Sequence, residues 1–118
     1  MDTDTHSPTD QLPTVLRDYL VAHAARDAQA AVRAFTDSAV VVDQDQIFRG
    51  TAQVLDFLTN AGAEFEYTTR MLGSRRVDAT HWVVTNRIEG NFPGGVADLE
   101  YRFTLDGPLI AELVIASA

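Results

Sequence analysis

Leu12, Val15, Leu16, Tyr19, Leu20 and His23 recur at helical spacing and lay one stripe along an amphipathic helix. Pro13 suits its first turn, where the missing N–H would be unsatisfied anyway. Asp27 is positioned to cap a second helix whose buried side is Ala28, Ala31, Val32 and Phe35. Thr51 as cap, Val54, Leu55 and Leu58 on one face, and Asn60-Ala61-Gly62 as a stop signal a third helix. Between the last two lies Ala39-Val40-Val41-Val42-Asp43, a β-branched run too short for a helix and expected as a strand.

From Glu64 onward the period falls from 3.6 to 2. Phe65, Tyr67, Thr69 and Met71 alternate with polar positions; Trp82, Val84, Asn86 and Ile88 form a second alternating set, and Leu99, Tyr101, Phe103 and Leu105 a third. Turn residues separate them at Asp78-Ala79, Asn91-Phe92-Pro93-Gly94-Gly95 and Asp106-Gly107-Pro108, and a final strand is expected from Leu109 to Ala116. Helices first and a hairpin-linked meander afterwards predict an α+β fold, with the helices covering a curved antiparallel sheet to leave a mostly apolar pocket.

Composition narrows the function more than the fold. At 118 residues, 46% hydrophobic and 22% charged, the chain suits a flexible tail over residues 1–10 and one domain over residues 11–118. The net charge of −8 repels a phosphate backbone, so nucleic acid is not an expected partner. No apolar stretch is long enough for a membrane span, and the start lacks the features of a signal peptide, which points to the cytoplasm. Without cysteine there is no thiolate chemistry and no disulfide. Asp43 and Asp45 resemble the opening of a calcium loop, but Ile47 stands at the next ligand position and the required glycine is absent. Neither a metal nor an organic cofactor is expected.

The segments Leu16-Arg17-Asp18-Tyr19-Leu20-Val21-Ala22, Arg26-Asp27 through Ala34-Phe35-Thr36-Asp37-Ser38-Ala39-Val40-Val41-Val42-Asp43, and Phe48-Arg49-Gly50-Thr51 resemble the nuclear transport factor 2-like superfamily, in particular its SnoaL-like and ketosteroid isomerase-like branches. The resemblance implies a cone-like fold, three N-terminal helices packed on a strongly curved, mostly antiparallel sheet enclosing a pocket. It also implies pairing as a homodimer through the outer sheet face, where Val83, Thr85 and Arg102 would lie. Ketosteroid isomerases use a carboxylate general base and two donors to the enolate oxygen, one a tyrosine on the first helix and one a protonated aspartic acid. By resemblance the base is Asp43 and the helix tyrosine Tyr19. The third position falls on Leu99 or Tyr101, neither of them an acid.

Each candidate also has a plainer explanation. Asp43 can serve an Asx turn, Tyr19 and His23 can be core groups, and Trp82 and Phe57 most often mean packing before they mean a ligand wall. Asn86 is the outlier, because it interrupts an apolar face and a buried amide without partners costs about 1–3 kcal/mol. The expected function is a pocket for a small hydrophobic molecule, as in an isomerase or polyketide cyclase. Asp43 would move the proton, Tyr19 would stabilise an oxyanion, and His23, Asn86, Tyr101, Trp82, Leu99 and Phe57 would bind the ligand. A non-catalytic binding or dimerisation module is the alternative. An epoxide hydrolase is weaker, because its arginine and second aspartate are missing from the inward positions.

Overall fold

The computed structural model describes residues 12–61 and 63–118. The tail expected over residues 1–10 lies outside them, as do Gln11 and the glycine of the expected helix stop. Three helices and six strands follow in the order α1 (Thr14–Ala24), α2 (Ala28–Val32), β1 (Phe35–Asp43), β2 (Gln46–Arg49), α3 (Gly50–Asn60), β3 (Tyr67–Arg76), β4 (His81–Gly90), β5 (Val96–Asp106) and β6 (Leu109–Ser117). The α+β reading therefore holds. Among the described residues no helix is long and apolar enough to cross a membrane.

The stripe on α1 buries Leu16, Tyr19 and Ala22, and Pro13 stands just outside the first turn as its cap. Asp27 caps α2 as expected, its Oδ1 accepting from the Ala30 N–H at 3.1 Å. Three local expectations need correction. Phe35 opens β1 instead of closing the second helix, because the Ile110 N–H donates to the Ala34 carbonyl and draws the chain into the sheet there. Thr51 is not the cap of α3: Arg49 holds that position, its N–H donating to Gln53 Oε1 at 2.8 Å. Gly50, at a φ of 81°, supplies the left-handed bend that turns strand into helix one residue earlier than a Thr51 cap would. Strand β2 was not foreseen at all. It pairs with β1 through Gln44-Asp45, with Gln44 at a φ of 57°, a conformation uncommon for a glutamine.

The sheet order is β2-β1-β6-β5-β4-β3, with β1 and β6 parallel and every other pair antiparallel. Register fixes what faces the helices. Trp82, Phe103, Leu113 and Val41 form one inward row, and Val84, Tyr101, Ile115 and Asp43 form the next. The first row is packed shut against α1 and α2, where Tyr19 meets Phe35 and Phe103 edge-on at 5.4 and 5.7 Å. The second row is where the interior opens.

Candidate functional site

The opening is a cavity of about 440 Å³ lined by residues from every layer of the fold. His23 reaches it from the end of α1, Phe57 and Ala61 from the end of α3, Asp43 from the end of β1, Leu99 and Tyr101 from β5, and Ile115 from β6. Phe65, Tyr67 and Phe92 close the far side, with Phe92 edge-on to both other rings at 6.1 and 6.4 Å. That wall is fixed by backbone contacts. The Glu66 N–H donates to Asn91 Oδ1 and the Asn91 N–H to the Glu66 carbonyl. Gly90 sits so close to Glu66 and Tyr67 that a Cβ there would collide with both.

Asp43 points inward because strand alternation carries the buried side of Val41 two residues onward. Its carboxylate has no hydrogen bond or ion pair among the described residues, and burial pushes its pKa up from the ordinary value. Tyr101 lies on the same row two strands away, separated by Ile115, which places the two Cα atoms on the order of 10 Å apart. Its hydroxyl is 3.5 Å from His23 Nε2. Burial raises the Tyr101 pKa, with Tyr67 and Asp43 adding to the rise and the Asn86 side chain partly opposing it. The phenol is therefore a held proton donor at neutral pH. Burial and then the Arg26 charge lower the pKa of His23, so its imidazole is neutral there.

Five of the eight residues expected at the site line this cavity: Asp43, His23, Tyr101, Leu99 and Phe57. Tyr19 does not. It is 0% exposed, stacked on His23 at 5.6 Å, and its hydroxyl has no hydrogen-bond partner among the described residues. Burial, followed by the fields of Tyr101, Tyr67 and Asp43, holds that phenol protonated. Trp82 belongs to the shut row, and the six residues separating it from Ile88 at the cavity amount to roughly 20 Å along the strand. Asn86 is buried between Met71 and Leu99 and borders a different depression, under α1. A dyad of His23 with Asp43 is not formed, since the His23 Nε2 contact is with Tyr101. Phe92 also lines the cavity without being among the expected site residues; its signal in the sequence is an aromatic residue inside a turn.

An uncompensated carboxylate, a protonated phenol and a neutral imidazole on an apolar wall can together abstract a proton next to a carbonyl and donate to the resulting oxygen. Among the described residues no group of three or more metal-ligating side chains is gathered.

No protein-family model matches the chain, and no curated protein matches it. Solved structures do. A proposed polyketide cyclase from Sinorhizobium meliloti is similar over 94% of this chain and 100% of its own, at 30% identity and a TM-score of 0.84. A hypothetical protein with a ketosteroid isomerase-like fold from Catenulispora acidiphila, in complex with trimethylamine, matches at 14% identity and a TM-score of 0.79, covering 92% of this chain and 88% of that one. An NTF2-like protein of unknown function from Cytophaga hutchinsonii matches at 11% identity and a TM-score of 0.72 over 100% of this chain and 95% of its own.

Proposed function

The chain belongs to the nuclear transport factor 2-like (SnoaL-like) superfamily, and on that premise we propose that it is a cofactor-independent acid/base enzyme, an isomerase or cyclase acting on a small apolar carbonyl compound. One observation carries the reading. Asp43 presents an unpaired, desolvated carboxylate to an apolar cavity whose other polar groups include the Tyr101 hydroxyl and the His23 ring. Desolvation brings the basicity of Asp43 closer to that of the proton it must take. Tyr101, rather than the sealed Tyr19, would donate to the developing oxyanion, with His23 holding the phenol in place. The likeness to a proposed polyketide cyclase supports the same class of substrate.

The measurement is isomerisation of a β,γ-unsaturated ketone, 3-cyclohexen-1-one, in deuterated buffer, following both product and deuterium uptake by NMR. Asp43→Asn is expected to lower the rate by about 10²–10⁴-fold. Equal turnover by wild type and variant would remove Asp43 from the chemistry.

A second reading, a non-catalytic binding module, is favoured by Tyr19, since only one phenol of the expected pair faces the cavity. An epoxide hydrolase gains no support, because among the described residues one carboxylate and no arginine line the site. As part of the proposal, the outer sheet face forms a homodimer contact. Val83, Arg102, Val114 and Val42 lie there in register across neighbouring strands.

A further inference from the structure

Helix α1 ends at a residue in an unusual backbone state. The Arg26 N–H donates to the His23 carbonyl at 3.0 Å and the Asp27 N–H to the Ala22 carbonyl at 2.9 Å, the paired bonds of a Schellman ending whose left-handed position is usually a glycine. Here it is Arg26, at a φ of 58°. A side chain strains that conformation, and such strain persists where the surroundings hold it in place. What holds Arg26 lies far along the chain. Its guanidinium stands 4.5 Å from the centre of the Tyr67 ring and donates through Nη2 to the Phe65 carbonyl at 2.9 Å, so one planar group makes a cation–π contact and a charged hydrogen bond together.

Phe65 and Tyr67 both belong to the aromatic wall of the main cavity, whereas Arg26 itself does not line it. The Glu66 and Asn91 bonds tie that wall to the turn between β4 and β5, not to the helices. Between the helix ends and Tyr67 lies a hollow of about 30 Å³ bordered by His23, Leu58 and Thr59, so packing leaves the wall room to shift there. Resting on the reading of the main cavity as the substrate site, we propose that Arg26 is a positioning residue: it clamps the Phe65–Tyr67 corner to the end of α1 and thereby sets the width of the space that a flat apolar ketone enters. It acts through the ring it covers. A guanidinium suits the task better than an ammonium, because its planar fork can stack on the ring while it reaches the carbonyl.

Two variants at this one position separate the clamp from its backbone strain. Arg26→Gly removes the guanidinium and relieves the strain, whereas Arg26→Met removes the guanidinium and keeps it. Binding of 2-acetonaphthone, followed at the Ile115 and Leu99 methyls, should weaken about tenfold in both, and with 3-cyclohexen-1-one KM should rise by about the same factor while kcat changes by less than about threefold. Arg26→Lys should fall between these variants and wild type. Thermal melting should follow a different order, with Arg26→Gly no lower than wild type and Arg26→Met below it. Without any ligand, the Glu66 and Asn91 amides should gain about tenfold in hydrogen-exchange rate relative to the Phe103 amide in both variants. An affinity order that follows the melting order, or Glu66 and Asn91 exchange unchanged in both variants, would overturn the clamp. A wild type that binds the naphthyl ketone without turning over 3-cyclohexen-1-one would count against the acid/base reading alone, since affinity and exchange still decide the role of Arg26.

Discussion

Two consecutive rows of the same sheet differ in use on β1, β5 and β6, while on β4 both Trp82 and Val84 are buried core. Trp82, Phe103, Leu113 and Val41 are sealed under the helices, whereas Tyr101, Ile115 and Asp43, one row further along the same strands, face open space. Alternation is identical in the two rows, so strand pattern is not what makes the cavity. The difference lies above the sheet. Over the first row Tyr19 and Leu16 fill the gap; over the second, α1 has reached its last turn at His23 and α3 its end at Asn60. A pocket arises here because the covering layer runs out, while the strands beneath continue with inward residues that include one acid.

That contrast can be broken first by truncation. Phe103→Ala in the sealed row should cost about 3–5 kcal/mol, measured by urea denaturation, because a cavity is left in packing that cannot collapse. Leu99→Ala, at the already open end, should cost clearly less. Equal losses would mean that the second row is as tightly filled as the first.

The two phenols sharpen the comparison next. Tyr101→Phe removes the only tyrosine hydroxyl paired with His23 at the cavity and is expected to lower turnover by about 10²–10³-fold with little change in stability. Tyr19→Phe should do the opposite. Its hydroxyl is buried without a partner among the described residues, so its removal should leave turnover near wild type and stability unchanged or raised by about 1–3 kcal/mol. Kinetics and melting of the pair of variants decide which tyrosine serves the site.

A smaller effect concerns pH. Burial lowers the His23 pKa in the folded chain, so the unfolded chain takes up a proton more readily as pH falls below about 6.5. Folding stability tied to His23 is therefore full above that point and lost on acidification toward the folded pKa. Comparing urea midpoints at pH 7.5 and 5.5, His23→Gln should lose less than wild type. A larger loss in the variant would mean that His23 is charged and stabilised in the fold.

Much of the architecture was legible in the sequence because its signals are periodic. The α1 stripe, the Asp27 cap and three of the five long strands follow from spacing alone. What escaped depends on contacts distant in sequence or on backbone conformations without a residue signature. The Ala34 carbonyl is claimed by Ile110, far along the chain, which turns Phe35 from helix to strand. Gln44 adopts a left-handed φ although it is not glycine or asparagine, so the Asx-turn signal at Asp43 does not by itself reveal that a paired strand follows. At the site, alternation puts Tyr101 and Leu99 on the inward face while Asp43 comes only from the family resemblance; alternation also nominates Trp82, because period 2 says which face a residue takes and not how far along the strand the covering helix ends. Tyr19 failed for a related reason. Its stripe position identified it as inward, and only the aromatic rings of Phe35, Phe103 and His23 around it show that inward there means sealed.

The account rests most heavily on the carboxylate at the open end. Titrating the Asp43 side-chain carbon by NMR between pH 2 and 8 measures its environment directly, without a substrate. A midpoint above the ordinary aspartate value of about 3.9 is predicted from its burial without a paired cation. A midpoint at or below that value would show a solvated or charge-paired group, and the role of Asp43 as the cavity's proton acceptor would fall with it.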